Sequence, residues 1–205
     1  MRKSPRYEKR KKDYYYRKAK QKGYRSRASF KLLEIQKKFK IMRRGDKVVD
    51  LGAAPGGWLQ VASEIIGNQG TVIGIDLKPI LPLENLTNVI TLVGNAESPL
   101  IQTKIIQILK GKADVVLSDM APDVSGNWNL DHSRQISLAY LALDITTKIL
   151  KPKGNFVVKV FMGSNSQEFT DSVKQKFEHI KHFRPQATRQ QSAEEYLICT
   201  GFMGE

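Results

Sequence analysis

From residue 47 onward the chain alternates short β-branched runs with helical patterns. In order these are "KVVDL", "WLQVASEII", "TVIGID", "VITLVG", a helical pattern near 98–109, "DVVLSD", a long one near 132–150, and "NFVVKVF". The strand-like runs lack polar alternation, as strands covered on both faces do. Buried strands separated by helices predict an α/β fold: a mostly parallel sheet with helices on both faces. A further helix is expected near 165–177, and "HIKHFRP" with "EYLICTG" reads as a closing antiparallel hairpin. Ahead of the first strand, Ala28, Leu32, Ile35 and Phe39 recur at helical spacing in "SRASFKLLEIQKKF".

With 205 residues and 40% hydrophobic content, the chain can bury one core and is short for two. Its net charge is +14, and residues 1–31 alone carry +12, from fourteen Lys or Arg against Glu8 and Asp13. Tyr7, Tyr14, Tyr15, Tyr16 and Tyr24 interleave with these cations. The expected organisation is a basic, tyrosine-containing arm over 1–23 followed by one domain over 24–205. Cations neutralise phosphates and aromatic faces stack on unpaired bases, so the arm predicts RNA as partner. A membrane surface is disfavoured because no amphipathic apolar face accompanies the charge. Cys199 is the sole cysteine, which excludes an intramolecular disulfide and a cysteine-based metal site, and His179 and His182 give no ligand pattern. No metal is expected. The start "MRKSPRYEKRKK" has no apolar stretch behind it, so a cytoplasmic protein is expected, as a monomer.

In open sheets of this kind ligands collect beyond the carboxyl ends of the strands. The first strand leaves through "DLGAAPGGW", where Gly52, Gly56 and Gly57 let a backbone turn tightly and come close to a ligand at a helix start. The second ends in Asp76, 20 residues beyond Gly56, where a carboxylate accepts hydrogen bonds from ribose hydroxyls. Together they predict an adenosine-containing cofactor. The glycines do not follow G-x-G-x-x-G, which weighs against a nicotinamide enzyme, and no phosphate-loop lysine follows them. A nucleoside cofactor without a pyrophosphate suits such a turn, and S-adenosyl-L-methionine is the candidate.

The fourth run meets the same end of the sheet at Asp119, in "DVVLSDMAPDVSG". Lys159 lies within the apolar "NFVVKVF", and burying it unpaired would cost several kcal/mol. Asp119 on the neighbouring strand is its expected partner, and Lys31 with Glu194 offers a second pair. Trp128 and His132 follow the Asp119 loop, where contact with substrate is one reading and a packed tryptophan with a helix-start histidine is the expected one.

"SRASFKLLEIQ", "DLGAAPGGW", "LSDMAPDVSG", "FVVKVF" and "SAEEYLICTG", in that order, resemble the motifs of the FtsJ/RrmJ family of RNA ribose 2′-O-methyltransferases, from about residue 24 onward. The resemblance implies a Rossmann-like, seven-stranded fold and a catalytic tetrad at Lys31, Asp119, Lys159 and Glu194, Glu194 being favoured over Glu195 by its distance from Thr200 and Gly201. It implies cofactor contacts at Gly56, Trp58, Asp76 and Asp119, with Gly52, Ala54, Pro55, Gly57, Leu77 and Ala96 around them. Asn95 stands where an acidic contact to the adenine is expected. The implied reaction is in-line methyl transfer to a ribose 2′-hydroxyl, with Lys159 at the hydroxyl and Asp119 and Glu194 orienting the two ammonium groups. The bacterial branch implies a uridine of large-subunit ribosomal RNA, free or in an assembled subunit, while branches acting on tRNA and mRNA caps share the tetrad. A non-catalytic RNA-binding assembly factor on the same fold is the rival from another class, and the presence of all four tetrad residues argues against it.

Overall fold

The protein's structure is a computed structural model that describes residues 13–204. In chain order it comprises α1 (Tyr14–Gln21), α2 (Ser29–Phe39), β1 (Lys47–Leu51), α3 (Gly57–Ile66), β2 (Thr71–Asp76), β3 (Val89–Val93), α4 (Pro99–Leu109), β4 (Ala113–Ser118), α5 (Trp128–Ile149), β5 (Leu150–Phe161), α6 (Ser166–Lys174), β6 (Phe177–Phe183) and β7 (Glu194–Phe202). One seven-stranded sheet has the order β3-β2-β1-β4-β5-β7-β6. Strands β1 to β5 pair in parallel, and β7 enters between β5 and β6, antiparallel to both. The expected α/β architecture with closing antiparallel strands is the one observed.

Alternation along the central strands divides their side chains between two layers. Val49, Leu51, Val116, Val158 and Val160 pack with α4, α5 and α6. Val48, Val115, Leu117, Val157 and Tyr196 pack under α2 and α3 with Leu32, Ile35, Trp58 and Leu59. By the same period, Asp50, Lys159, Phe161 and Glu194 belong to the α2/α3 face. Because β7 runs against its neighbours, its first residue meets the last of β5: Phe161 is in register with Glu194, and Lys159 with Tyr196. The antiparallel strand thus delivers its beginning, not its end, to the carboxyl side of the sheet.

Two elements depart from the expected boundaries. Helix α5 starts at Trp128, four residues before the predicted 132, because the Asn127 side chain caps it by accepting from the Leu130 N–H at 3.3 Å. Strand β5 begins at Leu150, immediately after α5, since its polar "KPKG" stretch is strand without being apolar.

Of the basic arm expected over 1–23, Tyr7 and the rest of residues 1–12 lie outside the described residues. Tyr14–Gln21 is the helix α1, which buries Ala19. Tyr15 packs on Phe30 at 5.5 Å between ring centroids, and Tyr24 meets Phe30 edge-on. These two rings, expected to face bases, are turned into the protein, while Tyr14 stays exposed. Among the described residues no helix is long and apolar enough to cross a membrane.

Candidate active site

A cleft of about 410 Å³ opens at the carboxyl ends of β1, β2 and β4, and among its walls are Gly52, Ala54, Asp76, Leu77, Asn95, Ala96 and Asp119. A smaller recess of about 150 Å³ continues beneath the turn, lined by Asp50, Pro55, Gly57, Trp58 and Asp119 among others. Asp76 holds the turn in place: one oxygen accepts from the Ala54 N–H at 2.9 Å and the other from the Lys78 N–H at 2.8 Å. Each carboxylate oxygen has room for a second donor.

The glycine-rich turn serves protein contacts as well as the cleft. Gly56 caps α3 at φ 104°, a conformation that disfavours side chains, and does not line the cleft. A methyl group on Gly57 would lie 2.3 Å from the Ser26 hydroxyl and 2.7 Å from that of Ser29, so this glycine lets the start of α2 approach. Trp58, 3% exposed, donates its indole N–H to the Ala28 carbonyl at 2.9 Å and packs against Tyr196. It therefore offers the recess an apolar wall and no donor. Asn95 lines the cleft while also holding its own loop: its amide N–H₂ donates to Glu97 and its oxygen accepts from the Glu97 N–H, both at 3.0 Å.

The two ammonium groups and two carboxylates meet on the α2/α3 face. Strand β4 ends its pairing at Ser118, opposite Val158, so Asp119 and Lys159 follow at the strand edge. Lys159, 5% exposed, donates to Asp119 twice, to its backbone carbonyl at 2.6 Å and to Oδ1 at 3.0 Å. Its own carbonyl accepts from the buried Gln135 amide at 2.7 Å, which ties the strand end to α5. From above, Lys31 on α2 reaches Glu194 Oε1 at 2.5 Å. Glu195, on the opposite face, lies 3.5 Å from His182 instead. Burial pushes the Asp119 carboxyl upward, but Lys159, then Lys31, and the Tyr196 hydroxyl outweigh it and hold it below its ordinary range.

Two residues of this site escaped sequence reasoning. The Tyr196 hydroxyl lies 2.7 Å from Asp119 Oδ1 and 3.1 Å from Glu194 Oε1, joining the two ion pairs through one proton. Burial, then Asp119 and Glu194, drives that phenol well above its ordinary value, so it stays protonated. Asp50 is the other: 1% exposed, neither oxygen has a hydrogen-bond partner. Burial, and then the charges of Asp119 and Asp76, raise its carboxyl well above the usual range. Both sit in apolar runs, where period alone reads them as core; a carboxylate inside "KVVDL" was the available signal for Asp50.

The "Ribosomal RNA large subunit methyltransferase E" of Methanocella arvoryzae is 54% identical over 193 residues, covering 94% of this chain and 73% of that protein. The protein of the same name from Cenarchaeum symbiosum is 46% identical, covering 95% of this chain and 97% of that one. Among solved structures, a Plasmodium falciparum protein provisionally described as a ribosomal RNA methyltransferase superposes with a TM-score of 0.78 at 30% identity, over 89% of this chain and all of that one. A family model described as FtsJ-like methyltransferase matches residues 24–202, a span that takes in the glycine-rich turn, both ion pairs and all seven strands. With the cleft, the charged cluster and the sheet that carries them all inside that match, the chain belongs to the FtsJ-like methyltransferase family.

Proposed function

We propose that this protein transfers a methyl group from S-adenosyl-L-methionine to a ribose 2′-hydroxyl of large-subunit ribosomal RNA, with uridine as the expected nucleotide. The observation that carries the reading is the gathering of Lys31, Asp119, Lys159 and Glu194 into one cluster that meets the cleft at Asp119, although they span 163 positions of sequence. The names of the relatives supply the substrate class.

The residues of the cleft fit the cofactor. Asp50, a buried carboxylate without a partner, suits an ammonium group entering the recess beneath the turn. The remaining acceptor capacity of Asp76 suits a ribose diol, and Leu77, Asn95 and Ala96 wall the place of the adenine. When bound, the cofactor supplies an electrophilic methyl group on a sulfonium. Lys159 holds the acceptor oxygen: two of its three N–H bonds point to Asp119, and the third is free for the 2′-hydroxyl. Asp119 and Glu194 fix the two ammonium groups, and Tyr196 locks the carboxylates to each other. Acceleration then comes chiefly from alignment of the hydroxyl, and the proton that its oxygen sheds as the methyl group arrives passes to solvent water.

Incubation with labelled cofactor and either stripped ribosomal RNA or intact large subunits, followed by mapping of 2′-O-methyl positions, tests the assignment. One ribose-methylated position is expected. Label on a base, or none on either substrate, would overturn it.

A further inference from the structure

We propose that Trp128 and Phe161 form a stacking platform for one unpaired base of the RNA beside Lys159. The inference rests on the reading of this site as RNA-methylating, and extends it to two residues outside the charged cluster. Phe161 is the last residue of β5, two positions beyond Lys159 on the same side of the sheet, and is in register with Glu194. Trp128, the first residue of α5, lies against it with the rings 15° from parallel and 6.2 Å between centroids. The indole is 49% exposed. A large aromatic surface is thus open to solvent at the mouth of the acceptor site, in line with the ammonium group that would hold the ribose.

The surroundings fix this indole in place. The Asp131 carboxylate accepts from the Ser125 N–H and hydroxyl, both at 2.8 Å, and from the Gly126 N–H at 3.2 Å, shaping the loop that precedes α5. Asn127 caps the helix. His132 packs edge-on against Trp128 at 5.7 Å and fills the space above Gly163, where a methyl group would lie 2.2 Å from its Nε2. One side of the indole therefore rests on protein while the other faces solvent. A base is the occupant that fits: every base has a flat π-face, and the ribose it carries must reach Lys159, one strand repeat away.

The chain has two tryptophans, and Trp58 is 3% exposed, so quencher-accessible fluorescence reports on Trp128. Acrylamide quenching is measured with an unpaired mixed-sequence oligoribonucleotide and with the same strand annealed to its complement. Shielding by the unpaired strand and not by the duplex is expected. In steady-state assays on ribosomal RNA, Trp128→Ala should raise KM about tenfold with kcat and cofactor affinity little changed, and Trp128→Phe should recover most of the loss. Equal quenching with and without the unpaired strand, or an unchanged KM in Trp128→Ala, overturns the platform. Shielding by intact ribosomal subunits alone also overturns it, and assigns the patch to a ribosomal protein. Shielding by the unpaired strand without any methylation keeps the platform and removes the reaction; normal methylation with Trp128 still open to quencher does the reverse.

Discussion

Asp50 and Asp119 stand near the carboxyl ends of adjacent parallel strands, yet their surroundings are opposite. Asp119 has donors from Lys159 and Tyr196 and is held below its ordinary range. Asp50 has none and is pushed well above it. The charged cluster is completed by the chain itself, through side chains from α2, β5, β7 and the residue after β4. The recess beneath the glycine-rich turn holds one buried acidic group without a hydrogen-bond partner. A carboxylate left without a partner in a recess costs stability, and such a cost is retained where a ligand offsets it. On the proposed reading, the difference separates the half of the site that holds the acceptor from the half that holds the cofactor.

The largest effect should come from Lys159→Ala. Methyl transfer should fall by about two to four orders of magnitude, because the acceptor oxygen loses its positioned donor, while cofactor affinity measured by calorimetry stays near that of the parent. Turnover close to the parent's would dissolve the division between the two regions.

Next come paired substitutions with opposite signs. Asp119→Asn leaves Lys159 buried without its counter-charge and should destabilise the protein by about 3 kcal/mol at pH 7. Asp50→Asn removes a buried, unpaired carboxyl and should raise Tm at pH 7 while weakening cofactor binding. The pH dependence separates them further. A raised folded-state pKa at Asp50 gives the parent a relative stability that is complete below the ordinary value of 3.8 and lost as pH climbs toward the folded value. The advantage of Asp50→Asn should therefore vanish near pH 3.8 and grow above it. Asp119 is the converse: its contribution is present above 3.8 and lost as pH falls through its lowered value. Thermal melts of both variants across pH would refute the contrast by moving in the same direction.

The smallest effect belongs to Tyr196→Phe, which removes one hydroxyl from between two carboxylates and keeps the ring against Trp58. A loss of about fivefold in kcat is expected, from a hydrogen bond worth about 1 kcal/mol, with KM for RNA unchanged. An equal loss in kcat and in cofactor affinity would show that the ring, rather than the hydroxyl, supports the site.

Much of this molecule was legible along the chain because the signals are local. Apolar runs without alternation mark strands covered on both faces, and "DLGAAPGGW" marks a turn with little room for side chains. The terminal residues of those runs pointed to Asp76, Asp119 and the cleft. The partners that Trp58 and Asn95 take within the protein were not legible, since they depend on which atoms lie within 3 Å. In the folded protein the Trp58 N–H faces Ala28 and the Asn95 amide faces Glu97.

By itself the sequence determined the α/β class and singled out the glycine-rich turn and the four charged residues, which stand in short motifs along the chain. Only the tertiary structure decided that one tyrosine hydroxyl joins the two ion pairs and that neither oxygen of Asp50 has a hydrogen-bond partner. The position of that tyrosine depends on the antiparallel insertion of β7 beside β5, which brings the beginning of β7 to the end of β5. Strand order is set by long-range packing, and no local pattern encodes the place of β7 between β5 and β6.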